Sequence, residues 1–585
     1  MLLLTFVTVT IIYISFSNKS LYNIVNSVNC NLELTKETIM TIAEKIIHLR
    51  MNASLSQLDL ANALKVSRQS VSKWEKGECV PSLDKALELC SLFKITIDEL
   101  VNESIVINKK ETKKEEVPEE GNHYFGTDGF RGESNKNLTA MHAFQTGRFL
   151  GWYFNKPEFA KLHAGQERPR ICIGKDTRRS SYMFEYALCA GITASGADAY
   201  ILHVTTTPSV SYITRSEHFD CGVMITASHN IFYDNGIKVL NHNGEKMEDD
   251  VAHLIECYID KKFDKLGLKD ATDLPYAERE NIGKVIDFEE GRARYTGYLI
   301  STIPTSFRGL RIALDCANGA SWAIAPQVFK TLGADITVIG DEPNGLNTNR
   351  DCGSTHIEKL QELVKKGGFD VGFAFDGDAD RCLAVDATGE VIDGDKIMFI
   401  LGSRLKRHRT LKNDTVVSTI MSNSGFVKAI EDAGMKTVQT AVGDRFVYEE
   451  MMKNDYWIGG EQSGHIIIRK YQNTGDGVLT ALKLTEEMLD TKKSLKALSA
   501  SVHEYPQQLE NVRVIDKKAV LSDKDILEKV EKINKEMKGK GRILLRESGT
   551  EPVVRIMLES DDKELNQKYI DTIKAMIKKG GYIGE

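Results

Sequence analysis

The sequence lacks paired cysteines, an excess of basic charge and any apolar run long enough to span a bilayer. Its ten cysteines stand singly, with no CxxC and no dense cluster. That pattern excludes a disulfide framework and a zinc ribbon, and it fits a reducing cytoplasm. Lys plus Arg number 76 against 83 Asp plus Glu, and 76 − 83 = −7, so the chain as a whole is no generic binder of polyanions. The uncharged apolar stretch at residues 1–16 falls short of the about 20 residues a spanning helix needs. Its first basic residue, Lys19, follows the apolar part, whereas a secretory signal carries basic residues ahead of it. Three readings stay open for this stretch: a translation start set too early, with Met40 as the true beginning, a weak membrane anchor, or a tail outside any fold. A membrane is not an expected partner. What is present is a 585-residue chain, 42% hydrophobic and 27% charged, the composition of an ordinary globular protein with room for about four domains.

Between residues 39 and 101 apolar positions recur at helical spacing in short blocks, which predicts five short helices. One block reads Ser67-Arg68-Gln69-Ser70-Val71-Ser72-Lys73-Trp74-Glu75-Lys76-Gly77 and resembles the second helix of phage-repressor-like helix-turn-helix domains. Ser67 can cap that helix and Val71 and Trp74 can face a core. Arg68, Gln69, Ser70 and Lys73 are then left on the outer face as candidate DNA contacts. The same module could instead bind protein, because its eight basic and eight acidic residues leave no net positive charge. Residues 109–120, KKETKKEEVPEE, read as a solvated linker. Beyond them, short β-rich runs (Ile171-Cys172-Ile173, Gly222-Val223-Met224-Ile225, Arg311-Ile312-Ala313-Leu314 and residues 371–375) alternate with amphipathic helical stretches. That alternation predicts α/β layers with mostly parallel strands.

Four loops carry chemistry. Thr226-Ala227-Ser228-His229-Asn230 follows an apolar strand, so Ser228 is expected at a sheet edge where α/β proteins place their sites. Taken alone, Ser228 reads better as a turn residue bonding its own backbone, and it lies outside any GxSxG elbow. Asp376-Gly377-Asp378-Ala379-Asp380-Arg381 places carboxylates at alternate positions on a tight loop, which suits one hard cation. An EF-hand is excluded because the sixth position is Arg381 and the twelfth Ala387. Three carboxylates leave Mg²⁺ short of ligands, and a phosphate is the usual completing partner. Gly460-Glu461-Gln462-Ser463-Gly464-His465 offers groups suited to sugar hydroxyls, and Arg546-Glu547-Ser548-Gly549-Thr550-Glu551-Pro552 can surround a phosphate.

Taken in order, with Phe125-Gly126-Thr127-Asp128-Gly129-Phe130-Arg131-Gly132 ahead of them, these loops resemble the signatures of the α-D-phosphohexomutase superfamily over residues 122–585. Tyr233-Asp234-Asn235-Gly236-Ile237-Lys238, Cys352-Gly353-Ser354-Thr355-His356, Val442-Gly443-Asp444-Arg445 and Gln462 resemble the branch that acts on glucosamine phosphates. Ile231 departs from the pattern, which usually has Pro there. The resemblance implies an α/β fold with four-domain phosphohexomutase architecture around a central cleft, preceded by a small all-α helix-turn-helix domain. Its expected boundaries are 1–37 (apolar segment), 38–101, 102–121 (linker), 122–290, 291–387, 388–503 and 504–585. It implies one Mg²⁺ per active site, held by Asp376, Asp378, Asp380 and a phosphorylated Ser228. Catalysis would use Ser228, Lys238, Arg131 and His465, with Arg381, Glu461, Ser463, Arg546, Ser548, Gly549 and Thr550 binding substrate. The expected partners are a hexosamine phosphate, DNA and a second copy of the chain, in the cytoplasm. Two alternatives remain: a glucose or mannose phosphate as substrate, or a transcription regulator that only senses sugar phosphate. The sensor is disfavoured because every reacting group is present.

Overall fold

The computed structural model describes residues 41–52, 57–77, 79–93, 100, 124–126, 129–163, 165–537, 541–547 and 553–583. They fall into two units, 1–119 and 120–585. In the first, helices Ile42–Asn52, Gln57–Ala63, Arg68–Glu75 and Leu83–Phe93 enclose a core of Ile46, Leu49, Leu60, Leu64, Val71, Trp74 and Leu89. Ser67 caps the third helix as expected, its Oγ accepting from the Ser70 N–H at 3.1 Å. At the other end Glu75 accepts from Arg50 at 2.5 and 3.2 Å and from Gln57 at 2.7 Å, which binds the third helix to the first two. The fifth helix was expected on residues that lie mostly outside those described, as do residues 1–37 and the linker.

The second unit holds sheets of seven, five, four and three strands. The first runs in the order Phe125–Gly126, Gly129–Glu133, Asp234–Asn241, Cys221–Ile225, Arg170–Lys175, Asp198–Val204, Val285–Asp287. The second is centred on Val371–Phe375, buried at all five positions. The third contains Thr415–Thr419, Ile458–Gly460 and Ile466–Ile468, and the fourth Gln507–Arg513, Val553–Ser560 and Gly541–Glu547. One apolar cluster, including Phe373, Phe375, Ile397, Ile466 and Leu482, packs the second and third layers together. The first and fourth have cores of their own.

The expectation of mostly parallel strands is corrected: the first three sheets are mixed and the fourth is wholly antiparallel. Each of the four chemical loops joins two adjacent antiparallel strands. Cys221–Ile225 pairs with Asp234–Asn241 across the serine loop, and Val371–Phe375 with Cys382–Asp386 across the metal loop. Ile458–Gly460 pairs with Ile466–Ile468, and Gly541–Glu547 with Val553–Ser560. A parallel pair needs a long crossover, whereas an antiparallel pair can be closed by a short loop held at the sheet edge.

Candidate active site

Strand Cys221–Ile225 is buried at every position, and the residues after it turn sharply. Ser228 adopts φ 52°, a left-handed conformation that costs an L-residue about 1 kcal/mol and persists where surrounding contacts enforce it. Those contacts are present. The Ser228 N–H donates to Thr226 Oγ1 at 2.9 Å, and Thr226 Oγ1 donates to Asp176 Oδ2 at 2.8 Å. Arg178, fully buried, pairs with Asp176 at 2.7 Å and donates to the carbonyls of Ser228 (2.8 Å), Asn230 (2.7 Å), Asp234 (3.1 Å) and Ile231. Asn349 Nδ2 donates to the Ser228 and Asn230 carbonyls at 2.8 and 2.9 Å. The loop is thus clamped by Arg178, which follows strand Arg170–Lys175, and by Asn349 from a turn, which fixes it without the proline usual at position 231.

Ser228 Oγ donates to Asp376 Oδ2 at 2.6 Å. The metal loop approaches so closely that a Cβ on Gly377 would lie 2.5 Å from the Ser228 carbonyl oxygen, so only glycine fits there. Asp376, Asp378 and Asp380 are buried, and ligand oxygens from all three lie within 4.8 Å of one another. Burial, with Asp380 and Asp378 alongside, pushes the Asp376 carboxyl well above its usual range. Burial also raises Asp380, but Lys238, His465 and Arg381 outweigh it and hold that carboxyl well below its usual range. Lys238 Nζ lies 3.0 Å from Asp378 Oδ2 and 3.2 Å from Asp380 Oδ2. The remaining oxygens, Asp378 Oδ1 and Asp380 Oδ1, are buried with no hydrogen-bond partner. Unpartnered buried carboxylate oxygens are costly unless a cation faces them, and this donor set fits a hard divalent ion.

The sugar loop is joined to the metal loop through its backbone: Arg381 and His465 form an antiparallel bridge, and the Cys382 N–H donates to the Gly464 carbonyl at 3.0 Å. His465, 3% exposed, has Nδ1 3.7 Å from Asp380 Oδ2 and Nε2 3.8 Å from Asp444 Oδ2. Burial alone would lower its pKa, but Asp380, Asp444 and Glu461 outweigh that and push it up to about 9. The Gly475 N–H, aimed at Nε2 from 3.0 Å, opposes protonation of that nitrogen, so the geometry favours the proton on Nδ1, facing Asp380. Glu461 accepts from the Gly443 N–H at 3.0 Å and from Ser463 Oγ at 3.4 Å. Gln462 turns away and donates to Asp393 at 3.2 Å. Burial, with Arg381 and Arg131 adding positive charge, pushes His229 down to about 4. A cleft of about 310 Å³ opens beside these groups, lined by Gly129, Lys238, Asp380, Asp444, Tyr448 and His465 among others.

The structure therefore brings together Ser228, Lys238, Arg131, Asp376, Asp378, Asp380, Arg381 and His465, with Glu461 and Ser463 on the same loop as His465. Arg546 stands on the fourth sheet, in register with Arg555, and burial beside that second cation lowers its pKa. Ser548, Gly549 and Thr550 lie outside the described residues. In the first unit Arg68, Gln69 and Lys73 are exposed, whereas Ser70 is half-buried with its hydroxyl 2.9 Å from that of Ser67. Asp176, Arg178, Thr207 and Asn349 are contributors that the sequence reading missed. The first three follow strands Arg170–Lys175 and Asp198–Val204, so the strand-end rule that found Ser228 could have found them too. Asn349 carries no such signal.

Four segments match descriptions of the phosphoglucomutase/phosphomannomutase family: alpha/beta/alpha domain I at residues 122–265, domain II at 293–389, domain III at 393–505 and the C-terminal domain at 509–576. Residues 46–100 match a helix-turn-helix family. A phosphoglucosamine mutase of Lachnoclostridium phytofermentans is 53% identical over 460 residues, covering 79% of this chain and 99% of that one. One from Lachnospira eligens is 55% identical over 459 residues, covering 78% and 99%. Among solved structures, a phosphoglucomutase/phosphomannomutase family protein from Burkholderia thailandensis superposes with TM-score 0.63 at 21% identity, over 78% of this chain and 97% of that one. An N-acetylphosphoglucosamine mutase of Aspergillus fumigatus, solved with GlcNAc-6P and magnesium, does so with TM-score 0.55 at 18% identity, over 78% and 96%. Among the described residues no helix is long and apolar enough to cross a membrane. With four domain types in order and more than half of the aligned residues identical to those two relatives over nearly their whole length, the chain belongs to the phosphoglucosamine mutase branch of the phosphoglucomutase/phosphomannomutase family, isomerases that relocate a phosphoryl group within a hexose phosphate, and it carries a helix-turn-helix domain ahead of that part.

Proposed function

We propose that the chain interconverts glucosamine 6-phosphate and glucosamine 1-phosphate in the cytoplasm, through a phosphoserine at Ser228 and a bound bisphosphate. The observation that carries this reading is the Ser228 hydroxyl 2.6 Å from Asp376, beside two buried carboxylate oxygens without partners. Asp376, Asp378, Asp380 and a phosphoryl oxygen on Ser228 would hold one Mg²⁺. When bound, that ion supplies positive charge against the phosphoryl oxygens. Lys238, Arg131 and Arg381 add fixed positive charge on the same side, and phosphoryl transfer depends chiefly on such positioning and neutralisation. In the first half-reaction the sugar C1 hydroxyl bonds to phosphorus and the bond to Ser228 Oγ breaks. The hydroxyl proton passes to the departing Ser228 Oγ, while Lys238 and His465 hold the charge that develops beside it. After the bisphosphate turns over, the 6-phosphoryl group returns to Ser228, the proton returns to the C6 oxygen, and glucosamine 1-phosphate leaves. Glu461 and Ser463 grip the sugar hydroxyls, and Arg546, Ser548, Gly549 and Thr550 hold the phosphate that does not react. Steady-state assays should rank kcat/KM as glucosamine 1-phosphate above glucose 1-phosphate above mannose 1-phosphate. A preference for mannose would place the activity with the sister branch.

For the first unit the proposal is duplex DNA, contacted through the exposed Arg68, Gln69 and Lys73. Such helices read the major groove in pairs on two half-sites, so a homodimer is part of the reading. The charge-rich sequence of residues 109–120 has a single apolar residue with which to build a coupling path, so cleft occupancy should alter DNA affinity little. Selection from a random DNA pool, with and without glucosamine 6-phosphate, is expected to yield one enriched site whose affinity falls with salt and changes less than about three-fold with ligand. Absence of any enriched site at low salt would favour a protein-docking module, and a large ligand effect would favour a sugar-phosphate sensor.

A further inference from the structure

Thr207 touches the metal loop from outside it. It begins helix Thr207–Ser216, whose cap is Thr206 and whose inner face, including Val210 and Ile213, is buried. Its hydroxyl donates to Asp378 Oδ2 at 2.5 Å, and its backbone N–H donates to the Asp378 carbonyl at 3.0 Å. Asp378 is therefore held at both its side chain and its main chain by one residue 171 positions away. Lys238 Nζ meets the same Oδ2 at 3.0 Å, while Oδ1 is buried with no hydrogen-bond partner. Two donors on one carboxylate oxygen fix the plane of the group and leave the other oxygen to a cation. Lys238 sits at the end of a flexible stem and also meets Asp380, so it cannot set that plane alone. Thr207 can, because it is 3% exposed, β-branched with few side-chain rotamers, and anchored on a helix.

We propose that Thr207 is a positioning residue for the cation site: its hydroxyl orients Asp378 so that Oδ1 is presented to the metal. The inference rests on the proposed metal role of the three aspartates. Outer partners of ligating carboxylates typically contribute 10- to 100-fold in metal affinity. Titration calorimetry of the full chain with Mg²⁺, repeated with Mn²⁺ by electron paramagnetic resonance, is the test. Thr207→Val and Thr207→Ala should each weaken binding by about ten-fold or more, and Thr207→Ser should stay within about three-fold of the parent. Measuring both Val and Ala keeps the test intact if one of them folds poorly, as judged by circular dichroism. Parental affinity in the Val or Ala variant would overturn the proposal, as would a Ser variant as weak as Val, since the methyl group would then be what matters. Failure of the parent itself to bind either ion would overturn the metal reading instead.

Discussion

Replacing Ser228 with alanine is expected to lower turnover on the order of 10⁵-fold or more, the scale that follows deletion of the group carrying a covalent intermediate. The fold should survive the change. Alanine meets the same modest cost at φ 52°, and the clamp from Arg178 and Asn349 acts on the loop's carbonyl oxygens, which the substitution leaves in place. What is lost is the hydroxyl 2.6 Å from Asp376, a bond contributing about 1 kcal/mol. Turnover assays beside circular dichroism separate chemistry from folding, and phosphopeptide mass spectrometry of the active parent should place phosphate on Ser228. An alanine variant that still turns over at a tenth of the parental rate would end the phosphoserine mechanism.

Asp378→Ala is expected to cost on the order of 10³-fold in kcat even at saturating Mg²⁺, since metal stabilisation of a transferring phosphoryl group amounts to several kcal/mol. Chelation of the parent should stop the reaction and added Mg²⁺ should restore it. A second readout needs no substrate: three buried carboxylates within 4.8 Å repel one another without a cation. Mg²⁺ at about 100 times its dissociation constant should stabilise the parent by about 2.7 kcal/mol, and the alanine variant by much less. If the melting midpoint rose equally in both, the ion would be binding elsewhere and the loop would have another role.

Much of the site was legible because its chemistry is contiguous. Six residues in a row carry the three aspartates, and Ser228 follows an apolar run that reads as a strand. Cap formation by Ser67 and burial of Val71 and Trp74 were legible for the same reason, since helix periodicity and capping act over a few residues. Strand direction was not legible. An apolar run such as Val371–Phe375 reads alike whether its neighbours run parallel or antiparallel, because burial on both faces demands the same side chains.

By itself the sequence determined which groups are available and in what order, the helix-turn-helix followed by the serine, metal, sugar and phosphate loops. Only the tertiary structure decided who holds them. Ser228 meets Asp376 across 148 positions, Lys238 meets Asp380 across 142, and Thr207 meets Asp378 across 171. The same packing turned Gln462 toward Asp393 and half-buried Ser70 beside Ser67, so two side chains that looked available for recognition are engaged within the protein. Local propensity depends on neighbours a few residues away, whereas these contacts depend on which strand edges the layers bring face to face. No short-range pattern encodes that, because it follows from burying the apolar faces of whole sheets and helices together.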